Sequence, residues 1–202
     1  MKNAKFVLAT ANPGKLQEMR EILSGLGLEV VSRDDVGIDF EVEETGANFM
    51  ENALIKAQAI CKASGLPAIA DDSGLVIDAL GGEPGVNTSS FGGEHLTARE
   101  RNEFLLKIME NMEQRSASFV CTIVCVFPDG GTISAQGDCR GEILRAPRGS
   151  GGFGYDPVFI ADGMDKSMAE LPAEEKNALS HRGKALRKMA DLLQSKIMNS
   201  EF

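Results

Sequence analysis

The chain is 202 residues long, with 43% hydrophobic and 25% charged residues, a formal net charge of -9, four Cys, two His and no Trp. That length fits one ordinary domain or two small lobes, and the composition supports a real core and excludes wholesale disorder. The negative balance argues against a dedicated binder of nucleic acid or of anionic membrane, so an anionic ligand must be met by a local cluster of cations or by a metal.

Residues 6–9 are apolar but too short for the core of a secretion signal, and no apolar run has membrane-spanning length. Cys61, Cys121, Cys125 and Cys139 form no C-x-x-C pair. They read as reduced, buried thiols of a cytoplasmic protein.

Residues 6–9 read as a short buried strand. Asn12 as N-cap and Pro13 at the first helical position then open a helix in which Leu16, Met19, Ile22, Leu23 and Leu26 recur at helical spacing until Gly27. Residues 28–31 read as a second strand and residues 34–44 as an acidic loop or edge. A second helix is expected over residues 47–64, with Phe49, Ala53, Ala57, Ile60 and Cys61 inward and Gly65-Leu66-Pro67 closing it. The strand at residues 68–70 runs into Asp71-Asp72-Ser73-Gly74, a further apolar stretch covers residues 75–80, and a Gly- and Pro-rich loop follows over 81–93. Residues 97–114 read as a helix and residues 116–127 as a long strand, with Asp129-Gly130-Gly131 turning into a strand over 132–136. Beyond the glycine cluster at 149–154 the chain reads as helical from Pro172, with a break near Ser180-His181-Arg182-Gly183 and a frayed tail over 198–202. Helix-strand alternation early and hairpins late predict an α/β fold. The expected form is one domain over 1–202, with a mixed central β-sheet, flanking helices and two lobes around an active-site cleft.

Several constellations could carry chemistry. Thr10, Ala11, Asn12, Pro13, Gly14 and Lys15 lie between the first strand and the first helix, where open backbone N–H groups and the positive helix end favour a phosphate. This is not a Walker A loop: Ala9 stands where the leading glycine belongs and Leu16 where the metal-binding hydroxyl belongs. Taken alone, the segment reads more readily as a plain capped helix start than as a phosphate site. Asn48, Asn52 and Lys56 form an i, i+4, i+8 stripe with Glu51 beside it and Glu43-Glu44 upstream. A solvated face and a binding stripe both explain it, although two mid-helix Asn cost helix propensity.

Asp71-Asp72-Ser73-Gly74, directly after an apolar strand, is the sharpest signal. Ligands of α/β sheets bind beyond the carboxyl ends of strands, and adjacent carboxylates there can coordinate Mg²⁺ or take a proton from water. A turn is the competing reading, which paired like charges disfavour. Ser73 with His181 as its base lacks the G-x-S-x-G elbow of a serine hydrolase. Glycines around Phe153 and Tyr155 expose aromatic faces for stacking on a planar base, and Asp156 could accept from a base N–H; core packing is the alternative. Lys176, His181 and Arg182 add donors, and His95 reads as a surface residue.

Together these segments resemble the inosine triphosphate pyrophosphatase (Ham1-like) family in its bacterial form. The resemblance rests on T-A-N-P-G-K at 10–15, E-E-T-G-A-N-F-M-E-N-A-L-I-K-A at 43–57, D-D-S-G-L at 71–75, G-G-F-G-Y-D-P-V-F at 151–159 and S-H-R-G at 180–183. It implies a two-lobed homodimer that hydrolyses ITP, dITP and XTP between the α and β phosphates with Mg²⁺, giving the monophosphate and pyrophosphate. By the same resemblance, Thr10 to Lys15 form the triphosphate loop, Lys56 is a further phosphate contact, and Glu43 and Asp72 are the metal ligands. Asp72 would also be the catalytic base and Ser73 would touch substrate. Phe153, Gly154, Tyr155, Asp156, Lys176, His181 and Arg182 would hold the base and nucleotide. The implied partners are small purine nucleotides, not a nucleic-acid polymer or a membrane. One segment departs from the family: after Pro84-Gly85-Val86 the usual Tyr-Ser-Ala-Arg-Tyr is replaced by Asn87-Thr88-Ser89-Ser90-Phe91, which loses an arginine. That loss leaves two alternatives open, a pyrophosphatase of broader specificity and a nucleotide-binding module with little turnover.

Overall fold

The computed structural model describes residues 5–25 and 27–199. Strand β1 (Lys5–Leu8) leads into helix α1 (Pro13–Gly25), β2 (Glu29–Ser32), α2 (Phe49–Ser64) and β3 (Ala68–Ile77). There follow α3 (Ala98–Ile108), β4 (Ser116–Val126), β5 (Thr132–Ile143), β6 (Phe159–Ala161), α4 (Ala173–Leu179) and α5 (His181–Asn199). The six strands form one sheet in the order β2-β1-β3-β4-β5-β6. It is mixed as expected: β1 runs parallel to β2 and to β3, and β5 runs antiparallel to β6.

The chain divides into two compact units. The first comprises Met1–Asp72, Cys121–Gly137 and Arg182–Phe202. Its packing follows from strand alternation, because successive side chains leave opposite faces of a sheet. On one face Phe6, Leu8, Ile69, Cys121, Ile123 and Cys125 pack against Met19 and Leu23 of α1 and against Leu186, Met189 and Leu193 of α5. On the other, Val7, Ala68, Ala70, Val124 and Val126 pack against Ala53, Ala57 and Ile60 of α2. Each fully buried Leu, Ile, Val or Met contributes roughly 1.5–3 kcal/mol. The second unit comprises Ser73–Val120 and Asp138–His181, with Leu75, Ile77, Leu105, Met109, Phe119, Val158 and Phe159 in its core.

Local signals explain most boundaries. The Asn12 side chain accepts the Lys15 N–H, so it caps α1. The Asn48 side chain accepts the Glu51 N–H at the start of α2, and Gly65 ends that helix with φ 68°. Phe127 and Gly131 pair across the β4–β5 turn, where Gly130 takes φ 86°. Ser180 is extended and separates α4 from α5.

Four expectations change. The strand expected over residues 68–70 does not stop there: β3 passes straight through Asp71-Asp72-Ser73-Gly74 to Ile77, against the competing turn reading, because the buried carboxylates find charged partners on both faces. Helix α3 stops at Ile108 rather than 114, since the Arg115 guanidinium takes the Met109, Ile143 and Leu144 carbonyls and pulls the chain out of the helix. Strand β5 runs to Ile143 rather than 136, its exposed residues alternating with buried ones. Phe49 is only half-buried. Leu26 and residues 200–202 lie outside the described residues, so most of the tail expected to fray lies there, beyond an α5 that continues to Asn199. All four cysteines are buried. No helix among the described residues is long and apolar enough to cross a membrane.

Candidate active site

In the first unit, α1 carries Lys15 and Glu18 one turn apart, β3 carries Asp71, and α5 opens with Arg182 as its second residue. Lys15 Nζ lies 3.1 Å from Asp71 Oδ2, and Arg182 Nε donates to the same oxygen at 3.3 Å. Arg182 Nη1 in turn donates to Glu18 Oε2. Asp71 is 2% exposed. Burial alone would raise its pKa, but Lys15, Arg182 and the more distant Lys56 outweigh it and hold the carboxyl well below the usual range. Burial likewise opposes the charge on Arg182, and Asp71 and Glu18 reverse that effect.

The start of α1 suits an anion. Pro13 has no N–H, and the Asn12 side chain takes that of Lys15. The Gly14 N–H is therefore left open at the positive helix end. Thr10 Oγ1 accepts the Asn12 N–H at 3.2 Å and shapes the approach, and Ala11 is exposed beside it.

Asp72 leaves β3 on the opposite face, towards α2. Asn52 Nδ2 donates to its Oδ2 at 3.1 Å, and Lys56 Nζ stands 3.8 Å from its Oδ1. Lys56 also reaches Glu44 Oε2 at 2.8 Å. Burial raises the Asp72 pKa, Lys56 and Asn52 oppose the shift without cancelling it, and Glu44 adds to it. Two consecutive carboxylates thus have opposite tendencies: Asp71 stays ionised and Asp72 is drawn towards holding a proton.

Asn52 does more than join a polar stripe. It is buried, and its Oδ1 accepts the Gly46 N–H at 2.7 Å, so one amide ties the acidic loop to Asp72. A Cβ at residue 46 would stand 2.7 Å from Asn52 Oδ1 and 2.8 Å from its backbone nitrogen, hence the glycine. Glu51 is spent on the helix start, accepting from the Ala47 N–H and the Asn48 side chain. Glu43 is exposed, and it is Glu44 that Lys56 engages. Among the described residues no three His, Cys, Asp or Glu side chains gather closely enough to hold a metal alone. Mg²⁺ usually takes one or two carboxylates and completes its shell with water and substrate phosphate. A single cation, the Lys56 ammonium, already bridges Glu44 and Asp72, so this donor set fits a metal that arrives with a polyphosphate.

In the second unit the glycine-rich loop is held from within. Asp156 Oδ2 accepts from Lys176 Nζ at 2.6 Å and from the Phe153 N–H at 2.8 Å. Lys176 Nζ also lies 4.6 Å from the centre of the Phe153 ring, a cation–π contact. Asp156 therefore organises the loop, a role not foreseen for it. Gly152 has φ 68°, and a Cβ there would collide with the Asp156 carboxylate. Asn102 of α3 donates to the Gly154 carbonyl at 3.0 Å. The Tyr155 ring is buried in the core, its hydroxyl donates to the Thr88 carbonyl at 2.9 Å, and burial pushes its pKa up to about 12. Phe153 is half-buried. His181 is buried with its ring stacked on Phe119 at 4.8 Å and 11°. Ser73 is buried in β3, and His95 is exposed.

The segment Asn87 to Phe91 is integrated into this unit. Thr88 Oγ1 accepts the Leu75 N–H, Phe91 meets Phe104 edge to face at 5.5 Å, and Arg101 donates to the Phe91, Gly93 and Leu96 carbonyls. Glu18, Glu44, Asn102 and Arg101 were not singled out from the sequence for these roles. The signal available was a polar residue on the apolar face of an amphipathic helix: Glu18 beside Met19, and Arg101 and Asn102 ahead of Leu105.

Comparison with known proteins places the chain in a family. The Ham1 family model matches residues 6–192. A dITP/XTP pyrophosphatase of Thermus thermophilus is 49% identical over 193 residues, covering 95% of this chain and 92% of that protein. A dITP/XTP pyrophosphatase of Escherichia coli is 45% identical over 195 residues, covering 95% and 98%. Among solved structures, a HAM1 protein from Coxiella burnetii superposes with a TM-score of 0.87 at 42% identity, covering 96% of this chain and 100% of that one. With a family model spanning nearly all of both units and relatives matched end to end, the chain belongs to the Ham1 family.

Proposed function

We propose that this protein hydrolyses noncanonical purine nucleoside triphosphates, ITP, dITP and XTP, to the monophosphate and pyrophosphate, and so removes them from the nucleotide pool. The observation that carries this reading is the pair Asp71 and Asp72, one ionised among cations and the other drawn towards a proton, beside a helix start open to an anion. The relatives named as dITP/XTP pyrophosphatases supply the substrate class.

In this reading the Gly14 N–H and Lys15 take phosphate oxygens of the polyphosphate, with Lys56 as a second full charge. Asp72 accepts the proton of the attacking water, its basicity kept up by burial and its orientation held by Asn52. Ser73, next along β3, contacts the substrate. Phe153 stacks on the purine, and Lys176, His181 and Arg182 hold the nucleotide, with Asp156, Gly154 and Tyr155 shaping the loop that presents Phe153. Mg²⁺, held by Asp72 and Glu43 with Glu44 alongside, would neutralise phosphate charge and favour the in-line geometry. Discrimination against ATP follows if the pocket pairs with a 6-oxo purine and leaves a 6-amino group mispaired.

The family resemblance also implies a homodimer in the cytoplasm. The four buried thiols suit a reducing compartment, and light scattering tests the dimer. The decisive experiment is a triphosphate panel with Mg²⁺ and product identification. Pyrophosphate released from ITP, dITP or XTP well above that from ATP and GTP is the expected result. Equal rates, or orthophosphate as first product, would overturn the assignment.

A further inference from the structure

We propose that Glu18 is a positioning residue for the polyphosphate, acting through Arg182 and Asp71 to aim Lys15; this rests on the function proposed above. Glu18 is 8% exposed on the second turn of α1, an unusual place for a carboxylate in a helix face that otherwise buries Met19 and Leu23. Its partner is Arg182, itself 2% exposed and placed in the first turn of α5, where the helix dipole disfavours a cation. Two unfavourable placements are thus offset by pairing with each other.

The consequence passes along a chain of alternating charge on three elements. Glu18 engages Arg182 at Nη1, which leaves Nε for Asp71 Oδ2 at 3.3 Å, and that same oxygen receives Lys15 Nζ at 3.1 Å. Asp71 Oδ2 is therefore divided between two cations, and the division depends on how much of Arg182 is satisfied elsewhere. With Glu18 in place, Arg182 draws on Asp71 only partly, and Lys15 is held beside the Asn12 cap at the open end of α1. With Glu18 neutral, the buried guanidinium loses a carboxylate partner and is drawn towards Asp71, which loosens the hold on Lys15 at the phosphate end. Lys15 and Glu18 sit at i and i+3, yet they are linked through β3 and α5.

A double-mutant cycle tests this, using Glu18→Gln, Lys15→Met and the pair, with kcat and KM for ITP and inhibition by inorganic pyrophosphate as readouts. Glu18→Gln is expected to raise KM and weaken pyrophosphate inhibition by about tenfold with a smaller change in kcat, and to add less than about twofold once Lys15 is Met. Glu18→Asp, which keeps the charge but shortens its reach, is expected to fall between wild type and Glu18→Gln and keeps the test available if the neutral variant does not fold. Fully additive losses, or a Glu18 variant that lowers kcat with KM and pyrophosphate inhibition unchanged, would overturn the proposal and leave Glu18 a structural residue. A wild-type protein that turns over none of these triphosphates would overturn the proposed function instead.

Discussion

The two units hold their candidate residues by different means. In the first, full charges of alternating sign on α1, α2, β3 and α5 fix one another, and the backbone contributes mainly the open start of α1. In the second, a loop of glycines is held by one buried carboxylate in an ion pair with Lys176, by one amide and by ring contacts. The first set should thus be sensitive to the sign of a side chain and tolerant of its shape. The second should be sensitive to shape at positions that carry no charge at all.

The largest effect expected separates neighbours on one strand. Asp72→Asn should lower kcat by about 10³-fold, while circular dichroism and thermal unfolding show an intact fold whose Tm is unchanged or slightly higher. The sign follows from its raised pKa: in the folded state the charged form is the costly one, so a neutral isostere removes that cost. Asp71→Asn should do the reverse to stability, because it leaves Arg182 and Lys15 buried against a neutral amide. Breaking such a buried network costs about 3–5 kcal/mol, read from urea unfolding. A variant pair with matching losses of stability would break the distinction between the two carboxylates.

The pH dependence sharpens the same contrast. The folded pKa of Asp71 is depressed, so its stabilisation is fully present above the unfolded value of about 3.9 and is lost only as pH falls through the lower folded value. Its contribution should be level from pH 5 to 8 in denaturant titrations. Asp72, shifted upward, should set an acid limb of activity above the ordinary carboxylate range, visible in the pH profile of kcat/KM without a matching fall in stability.

In the second unit, Gly152→Ala is expected to cost about 2 kcal/mol, from a left-handed backbone position and from the Cβ collision with Asp156, and to raise KM for ITP with little change in kcat. Asn102→Ala, which releases the Gly154 carbonyl, should cost about 1 kcal/mol and raise KM several-fold. Unchanged KM in both variants would show that the loop's shape does not govern nucleotide binding.

Much of the first unit was legible because charged residues interrupt apolar periodicity there: Lys15 after a cap, Asp71-Asp72 after three buried residues, Asn52 and Lys56 within α2. The length of β3 was not legible at Asp71 to Gly74, because sequence shows residue preference but not the partners that make a buried charge acceptable in a strand. The loop of the second unit was legible as a motif, yet the separate roles of its residues were not. Tyr155 and Phe153 flank the same glycine, and only tertiary packing decides that one ring is buried with its hydroxyl on Thr88 while the other is half exposed. Glu18 and Asn102 act on residues 164 and 52 positions away, and no local pattern encodes such partners.

The uninterrupted path of β3 has a consequence for how this gene can vary in length. Because side chains alternate strictly along a strand, Asp71 meets α1 and α5 while Asp72 meets α2. Inserting or deleting a single codon between Ala68 and Asp71 would exchange those faces, setting the first carboxylate against α2 and the second among Lys15 and Arg182. Two codons would restore the faces but shift the pair along the strand by one pleat. Loops elsewhere in the molecule can drift in length, whereas the residue count from the start of β3 to its second carboxylate is set by the chemistry on either side of the sheet.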